Sequence, residues 1–269
     1  MIICIIANKD GLKAMLEPVA LRPAAPGGQA DAGDVMPVPD VAPGDPAVVP
    51  MSGSEQWWLD RHGEKAGEIR DNPQIVFIGD SITQRWEEEG QEAWQELRRR
   101  YGDRILNLGF GSDKTQNVIW RLENGEFPVG TKPRFIVLMV GTNNLLFTAD
   151  AAQSVAAGIG EIIEILHSRS PKSKIILCSI LPSAYNGGTA GLASKISEAN
   201  GIIMKYDGYR NVSYLDIARY YADDSGQMYD GLFVDGIHLA PEGYAIWMDK
   251  IIETIGESGW KPRPPLLSY

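Results

Sequence analysis

The nine residues IVFIGDSIT, residues 75–83, decide how the rest of the chain is interpreted. The apolar run that opens this stretch, with two β-branched residue types, predicts a strand buried on both faces. The run ends at Gly79, Asp80 and Ser81, where the chain must turn. A serine at such a turn either caps the next helix or acts as a nucleophile. These nine residues alone do not distinguish the two roles.

Outward from this stretch, strand-like runs alternate with helical patterns. Apolar runs at 74–79, 104–109, 134–140, 174–180 and 212–217 predict strands. Apolar residues at helical spacing, or amphipathic composition, predict helices at 55–70, 91–101, 150–168 and 241–256. This alternation predicts a three-layer α/β fold with a mainly parallel sheet. Sites in such sheets gather at the carboxyl ends of the strands, so functional residues should directly follow strands.

Three polar segments follow predicted strands in this way. Ser81 follows the first strand, residues 109–113 (GFGSD) follow the second, and residues 141–144 (GTNN) follow the third. Each segment alone is more simply interpreted as a turn or a helix cap. Their common position at one edge of the sheet favours a shared site.

A nucleophilic serine needs a base, and the base needs a partner that orients it. The chain has only three histidines, His62, His167 and His238. His238 is the best candidate, because it lies in the loop FVDGIHLAPEGY three residues after Asp235. The alternatives for this pair are a simple capping loop or a metal site. A metal site is disfavoured, because no second histidine lies nearby.

Acyl transfer also requires hydrogen-bond donors for a developing oxyanion. Backbone N–H groups at Ser81 and in the turn 109–112 could supply some of them, and the Asn143 amide another. No G-x-S-x-G sequence occurs in the chain. The usual nucleophile elbow of α/β-hydrolases is therefore not predicted.

The blocks GDS-I-T, the glycine-rich turn, GTNN and D-x-x-H occur in the order found in the SGNH hydrolases, the GDSL-like esterase and lipase superfamily. The chain resembles this superfamily over residues 51–257. The stretches WWLDRH, NLGFGSDKT and VIWRLENGE resemble most the catalytic subunits of platelet-activating factor acetylhydrolase and their bacterial relatives. The resemblance implies a flavodoxin-like fold with five parallel strands and a serine esterase that needs no cofactor and no metal.

The resemblance also implies residue roles. Ser81 would be the nucleophile, His238 the general base and acid, and Asp235 its orienting partner. Ser81, Asn143 and the glycine-rich turn would form the oxyanion hole, with adjacent substrate contacts predicted at Asp80 and Asn144. The family has a glycine immediately before the aspartate of the turn, where this chain has Ser112. Ser112 and the neighbouring Gly111 are therefore both kept as oxyanion-hole candidates.

Composition limits the remaining possibilities. The chain has 269 residues, 44% of them hydrophobic, and a net charge of −10, which argues against a nucleic-acid partner. Two cysteines cannot form a disulfide framework, and no apolar stretch is long enough to span a membrane. Residues 1–50 are predicted to be a leader and a Pro/Ala/Gly-rich arm, 51–259 the hydrolase domain, and 260–269 a tail. The apolar start MIICIIANKD lacks a preceding basic residue and is a poor signal peptide, so the compartment stays undetermined.

The sequence thus predicts a short-chain, acetyl-type esterase, with an O-acetylated carbohydrate as a candidate small-molecule substrate. A longer-chain lipase, lysophospholipase or thioesterase of the same superfamily is the first alternative, and a non-catalytic binding module is the second. The pair Trp57 and Trp58 either builds a homodimer interface or packs the first helix onto its own domain.

Overall fold

The computed structural model describes residues 35–148, 150–184, 191–223 and 226–260. Of the predicted leader and arm (1–50), residues 1–34 lie outside the described residues, and so does Cys4. Of the predicted tail (260–269), residues 261–269 lie outside them. The predicted arm is described from residue 35 onwards. This part lies against the domain, where the carbonyl of Ala47 accepts a hydrogen bond from Thr115 and the carboxylate of Asp45 accepts one from Ser154.

Five parallel strands form the sheet that the sequence predicts. They are β1 (Ile75–Gly79), β2 (Ile105–Gly109), β3 (Phe135–Met139), β4 (Lys174–Cys178) and β5 (Val212–Leu215). Their spatial order is β2-β1-β3-β4-β5, and all four neighbouring pairs are parallel. This is the flavodoxin-like order, in which the direction of strand addition reverses between β1 and β3. Each predicted strand lies within two residues of the observed one.

Seven α-helices accompany the sheet in the described part of the chain. They are α1 (Gln56–Glu68), α2 (Ser81–Gln84), α3 (Gln91–Tyr101), α4 (Thr115–Arg121), α5 (Ala152–Arg169), α6 (Leu192–Ile203) and α7 (Pro241–Glu257). The predicted helices correspond to α1, α3, α5 and α7. The sequence-based prediction did not include α2, α4 or α6.

Two apolar cores lie on the two faces of the sheet and make the fold three-layered. One core joins one face to α4, α5 and α6, through residues such as Val118, Ile159 and Ile196. The other joins the opposite face to α3 and α7, with Leu97 and Trp247 fully buried. Because both faces are covered, β1 and β3 are buried along their whole length. This accounts for the continuous apolar runs seen in the sequence.

None of the helices within the described ranges is long and apolar enough to cross a membrane. The carboxyl ends of β1, β2 and β3 meet at one edge of the sheet, because their registers pair Gly79 with both Gly109 and Met139. The three polar segments singled out in the sequence therefore lie at the same edge.

Candidate active site

The turn after β1 presents Ser81 as the first residue of α2. Asp80 caps this short helix, with one carboxylate oxygen accepting a hydrogen bond of 2.9 Å from the Ile82 N–H. A Cβ at Gly79 would lie 2.2 Å from both the Met139 carbonyl oxygen and the Thr83 hydroxyl. Only glycine therefore allows the strand to turn this tightly into the helix. The same nine residues thus supply both a helix cap and a half-buried serine hydroxyl that lines the pocket.

His238 links Ser81 to Asp235. Its Nε2 lies 2.9 Å from the Ser81 Oγ, and its Nδ1 lies 2.6 Å from the Asp235 Oδ2. The second oxygen of Asp235 accepts the backbone N–H groups of Ile237 at 3.0 Å and His238 at 2.8 Å. The carboxylate thus fixes the loop as well as the ring. With a proton on Nδ1, the Nε2 lone pair faces the serine hydroxyl, as a general base requires.

Hydrogen bonding keeps Asp235 ionised. Partial desolvation raises its pKa, but the hydrogen bonds from the His238 backbone, the His238 ring and the Ile237 backbone outweigh this effect. The net result is a pKa below the ordinary value for aspartate. A charged Asp235 is suited to stabilise the imidazolium that forms when His238 accepts a proton.

The environment of Asp80 raises its pKa, in contrast to that of Asp235. Its side chain is buried, and burial raises its pKa to about 7, with a smaller contribution in the same direction from Asp113. Among the described residues, its second oxygen accepts no hydrogen bond. Asp80 was predicted to contact the substrate. Its carboxylate instead caps α2 and does not line the pocket.

Two backbone donors are available for an oxyanion. Within the part of the chain that the structure describes, the N–H groups of Ser81 and Ser112 have no protein acceptor. Ser112 has a φ of 63°, in the left-handed region that glycine adopts more easily. This conformation costs a non-glycine residue roughly 1–2 kcal/mol. The serine that departs from the family pattern therefore retains the backbone geometry of a glycine.

The backbone N–H of Gly111 is not available to bind an oxyanion. Its N–H donates a hydrogen bond of 2.6 Å to the Gln84 side chain, which leaves no proton for an oxyanion. The prediction that Gly111 belongs to the oxyanion hole is thus replaced by a supporting role, since this bond ties the glycine-rich turn to α2.

Asn143 and its neighbour Asn144 differ in what they can contact. The Asn143 amide lines the pocket and donates one hydrogen, at 2.8 Å, to the Asp113 carbonyl, which leaves its second hydrogen for a ligand. Asn144 is fully buried, and its amide bonds to Thr115, Gln116 and Asp150. Asn144 therefore connects the segment after β3 to the start of α4, which does not agree with the predicted substrate contact.

A buried ion pair holds the glycine-rich turn. The two carboxylate oxygens of Asp113 accept hydrogen bonds from the Trp58 indole at 2.7 Å and from the Arg121 Nε at 2.8 Å. Burial raises the Asp113 pKa to about 6, against the opposing effect of Arg121, so the carboxylate is mostly ionised at neutral pH. Asp113 directly follows Ser112, and the ion pair therefore restrains the glycine-rich turn.

Arg121 also contacts the strands that carry the site. Its guanidinium is fully buried and forms an ion pair with Glu126. It donates hydrogen bonds to the Leu108 carbonyl at 3.2 Å and the Gly79 carbonyl at 3.4 Å, at the ends of β2 and β1. One side chain thus joins the strand that leads to Ser81 and the strand that leads to the glycine-rich turn.

One pocket of about 460 Å³ is lined by the three candidate triad residues and the candidate oxyanion donors. Its lining residues are Trp57, Ser81, Gln84, Arg85, Glu88, Gly111, Ser112, Asn143, Phe147, Asp235, Ile237 and His238. The pocket brings together every residue predicted for the triad and the oxyanion hole. It adds Gln84, Arg85 and Glu88, which the sequence-based reasoning did not include.

The other candidates from the sequence lie elsewhere. His62 stacks on Trp58, with ring centroids 5.7 Å apart, and its Nε2 lies 3.1 Å from the Asn124 carbonyl. His167 lies in the last turn of α5. The described residues contain no group of three or more His, Cys, Asp or Glu side chains arranged to hold a metal ion. Of the tryptophan pair, Trp58 is 3% exposed, whereas Trp57 is 45% exposed and lines the pocket.

Comparisons with known proteins identify a family and relatives for this chain. The profile of the GDSL-like Lipase/Acylhydrolase family matches residues 77–246, which include the serine, the aspartate and the histidine of the triad. Platelet-activating factor acetylhydrolase IB subunit alpha2 from Rattus norvegicus is 32% identical over 206 residues, covering 74% of this chain and 86% of the relative.

Solved structures show the same fold. An acylhydrolase from Bacteroides fragilis aligns with a TM-score of 0.62 and 19% identity over 77% of this chain and 99% of its own. An acetyl xylan esterase aligns with a TM-score of 0.55 and 21% identity over 67% of this chain and 98% of its own.

Proposed function

We propose that this chain, which belongs to the GDSL-like lipase/acylhydrolase family and is a carboxylic ester hydrolase, cleaves short, acetyl-type esters through an acyl-enzyme on Ser81. One observation carries the proposal. His238 lies between Asp235 and Ser81, at hydrogen-bond distance from both. The same pocket contains donors suited to a tetrahedral oxyanion.

In the first half of the reaction, His238 accepts the Ser81 proton on Nε2 as the serine oxygen attacks the ester carbonyl. Asp235 holds the ring and stabilises its positive charge. The N–H groups of Ser81 and Ser112 and the Asn143 amide stabilise the oxyanion. The intermediate collapses when the alcohol oxygen leaves with the proton that His238 returns.

In the second half, water replaces the alcohol. His238 removes a proton from the water as the water oxygen attacks the acyl carbon. The same donors stabilise the second tetrahedral intermediate. Collapse breaks the bond to Ser81, which regains its proton from His238, and the carboxylic acid leaves. The chain's own residues perform both halves.

The size and lining of the pocket support a short acyl group. The volume is about 460 Å³, near the lower end of small-molecule sites. Charged side chains, Arg85 and Glu88, share the lining with the apolar ones, so the walls do not form a continuous apolar channel. The names of two similar proteins, a platelet-activating factor acetylhydrolase and an acetyl xylan esterase, also refer to acetyl groups.

A series of p-nitrophenyl esters from acetyl to palmitoyl tests the acyl preference. We expect the highest kcat/KM with acetyl or butyryl, because longer chains would have to leave the pocket and lie against charged residues. A kcat/KM that rises with chain length would favour the lipase or thioesterase alternative. A fluorophosphonate probe tests the alternative of a non-catalytic binding module, because such a module would not be labelled.

Replacing Asn143 by alanine should lower kcat by roughly 100- to 1,000-fold, the usual effect of losing one oxyanion donor. The change also removes the hydrogen bond to the Asp113 carbonyl, so the turn should become less ordered. Steady-state kinetics on p-nitrophenyl acetate measure the effect. Asn124→Ala is the control, because this asparagine is exposed, does not line the pocket, and uses its side-chain amide to donate a hydrogen bond to the Trp120 carbonyl. A kcat for Asn143→Ala within threefold of wild type would contradict the assigned role.

A further inference from the structure

Two aromatic side chains stand at the rim of the catalytic pocket. Trp57 is 45% exposed and Phe147 is 57% exposed, and both line the pocket that contains Ser81. Large aromatic side chains usually bury most of their surface. Both therefore present aromatic surface at the rim, beside Ser81.

Trp57 lies directly beside the oxyanion turn. The edge of its indole ring is 3.4 Å from the point where a Cβ on Gly111 would lie. The next residue, Trp58, faces inward, where it bonds to Asp113 and packs against Phe110. The buried neighbour thus anchors the start of α1 and holds Trp57 at the mouth of the site.

Polar side chains complete the same pocket. Arg85 and Glu88 both line it, and the Arg85 Nε lies 3.6 Å from a Glu88 oxygen. This lining pair is not isolated, because the Arg85 Nη1 also donates a hydrogen bond of 3.1 Å to Glu89. It offers donors and acceptors to a neutral ligand that carries hydroxyl groups.

From these observations we propose that Trp57 is the platform of an alcohol-binding subsite and that the alcohol half of the ester is a carbohydrate ring. This inference rests on the proposed function. An acetyl group has only two carbons, so the part of the ester that reaches the rim is the alcohol. A sugar ring has an apolar C–H face that packs on an aromatic ring and a hydroxyl edge that bonds to Arg85 and Glu88.

Two other alcohols fit the lining less well. A long alkyl chain would lie against Arg85 and Glu88. It would remove water from these charged side chains without replacing the lost hydrogen bonds. A quaternary ammonium group would lie beside the Arg85 guanidinium, which repels a second cation.

The experiment compares three acetate esters of different alcohols with ethyl acetate, with released acetate as the readout. The esters are methyl 6-O-acetyl-β-D-glucopyranoside, hexyl acetate and acetylcholine. For each one, the kcat/KM is divided by that for ethyl acetate. We expect Trp57→Ala to lower the ratio for the sugar ester by about tenfold, the scale of one aromatic contact. Trp57→Phe, which keeps an aromatic face, should restore most of it.

Leu59→Ala is the matched control, because Leu59 is an exposed apolar residue of the same helix that does not line the pocket. It should keep the wild-type ratio. A Trp57→Ala loss confined to hexyl acetate or acetylcholine would overturn the carbohydrate assignment, and equal losses on all four esters would overturn the subsite. Failure of the wild type to hydrolyse any ester would instead refute the proposed function, which separates the two failures.

Discussion

Replacing Ser81 by alanine should abolish ester hydrolysis and leave the fold unchanged. We expect kcat to fall by roughly 10⁵- to 10⁶-fold, the scale seen when a triad loses its nucleophile. The melting temperature should stay within about 4 °C of wild type, since one lost hydrogen bond contributes only about 1 kcal/mol. The cap of α2 comes from Asp80, and the described contact of the Ser81 hydroxyl is with His238. Kinetics on p-nitrophenyl acetate and a thermal melt measure the two quantities.

Covalent labelling makes this test sharper. A fluorophosphonate should label the wild type at one site and should not label Ser81→Ala. Ser168→Ala is a matched control, because Ser168 is a helical serine whose hydroxyl bonds to the Ile165 carbonyl within α5. This control should be labelled and active. Labelling of the Ser81→Ala protein, or hydrolysis near the wild-type rate, would show that another residue is the nucleophile.

The sheet could be predicted from the sequence because most of its strand residues are buried, and β1 and β3 are buried along their whole length. Apolar runs mark the strands, although the edge strand β5 is buried only at Val212, and parallel pairing brings the carboxyl ends to one edge. The positions of Ser81, Ser112 and Asn143 around one pocket follow from this topology. Helix α6 could also have been predicted, since Leu192, Ile196, Ala199 and Ile203 are buried at helical spacing.

Other features depend on contacts that no local pattern reveals. The Trp58 indole and the Asp113 carboxylate are 55 positions apart in sequence, so their hydrogen bond exists only in the folded chain. The two adjacent tryptophans are equivalent by composition, yet one supports the oxyanion turn and the other faces the pocket. The substrate contacts predicted at Asp80 and Asn144 fall on buried side chains for the same reason, because burial depends on neighbours distant in sequence.

Arg121 did have a local signal. It lies three residues after Val118 and one before Leu122, and both of these are fully buried. An arginine on the apolar face of a helix needs buried partners. The sequence therefore indicated a buried ion pair at this position, although not that the partner would be the aspartate of the oxyanion turn.

Replacing Arg121 by methionine should reduce the free energy of unfolding by about 3–5 kcal/mol. Methionine fills much of the same volume, but it leaves Asp113 and Glu126 buried without their cation. It also removes the guanidinium that lies 3.9 Å from the centre of the Phe110 ring and its bonds to the ends of β1 and β2. Urea denaturation measures the loss. Arg99→Met is the control, because this arginine forms only an exposed pair with Glu96 and should cost less than about 1 kcal/mol.

The pH dependence separates lost charge pairing from lost packing. Burial already raises the Asp113 pKa above that of an unfolded chain, so the native state holds this proton more tightly. Removing Arg121 raises the pKa further. A carboxyl whose native pKa is raised costs stability as pH rises above its unfolded pKa of about 4. In Arg121→Met, Asp113 must then ionise while buried and without its arginine partner. The deficit of Arg121→Met should therefore be larger at pH 8 than at pH 5. An equal deficit at both values would mean that Arg121 stabilises the turn by packing alone, and that the ion pair does not hold the oxyanion turn in place.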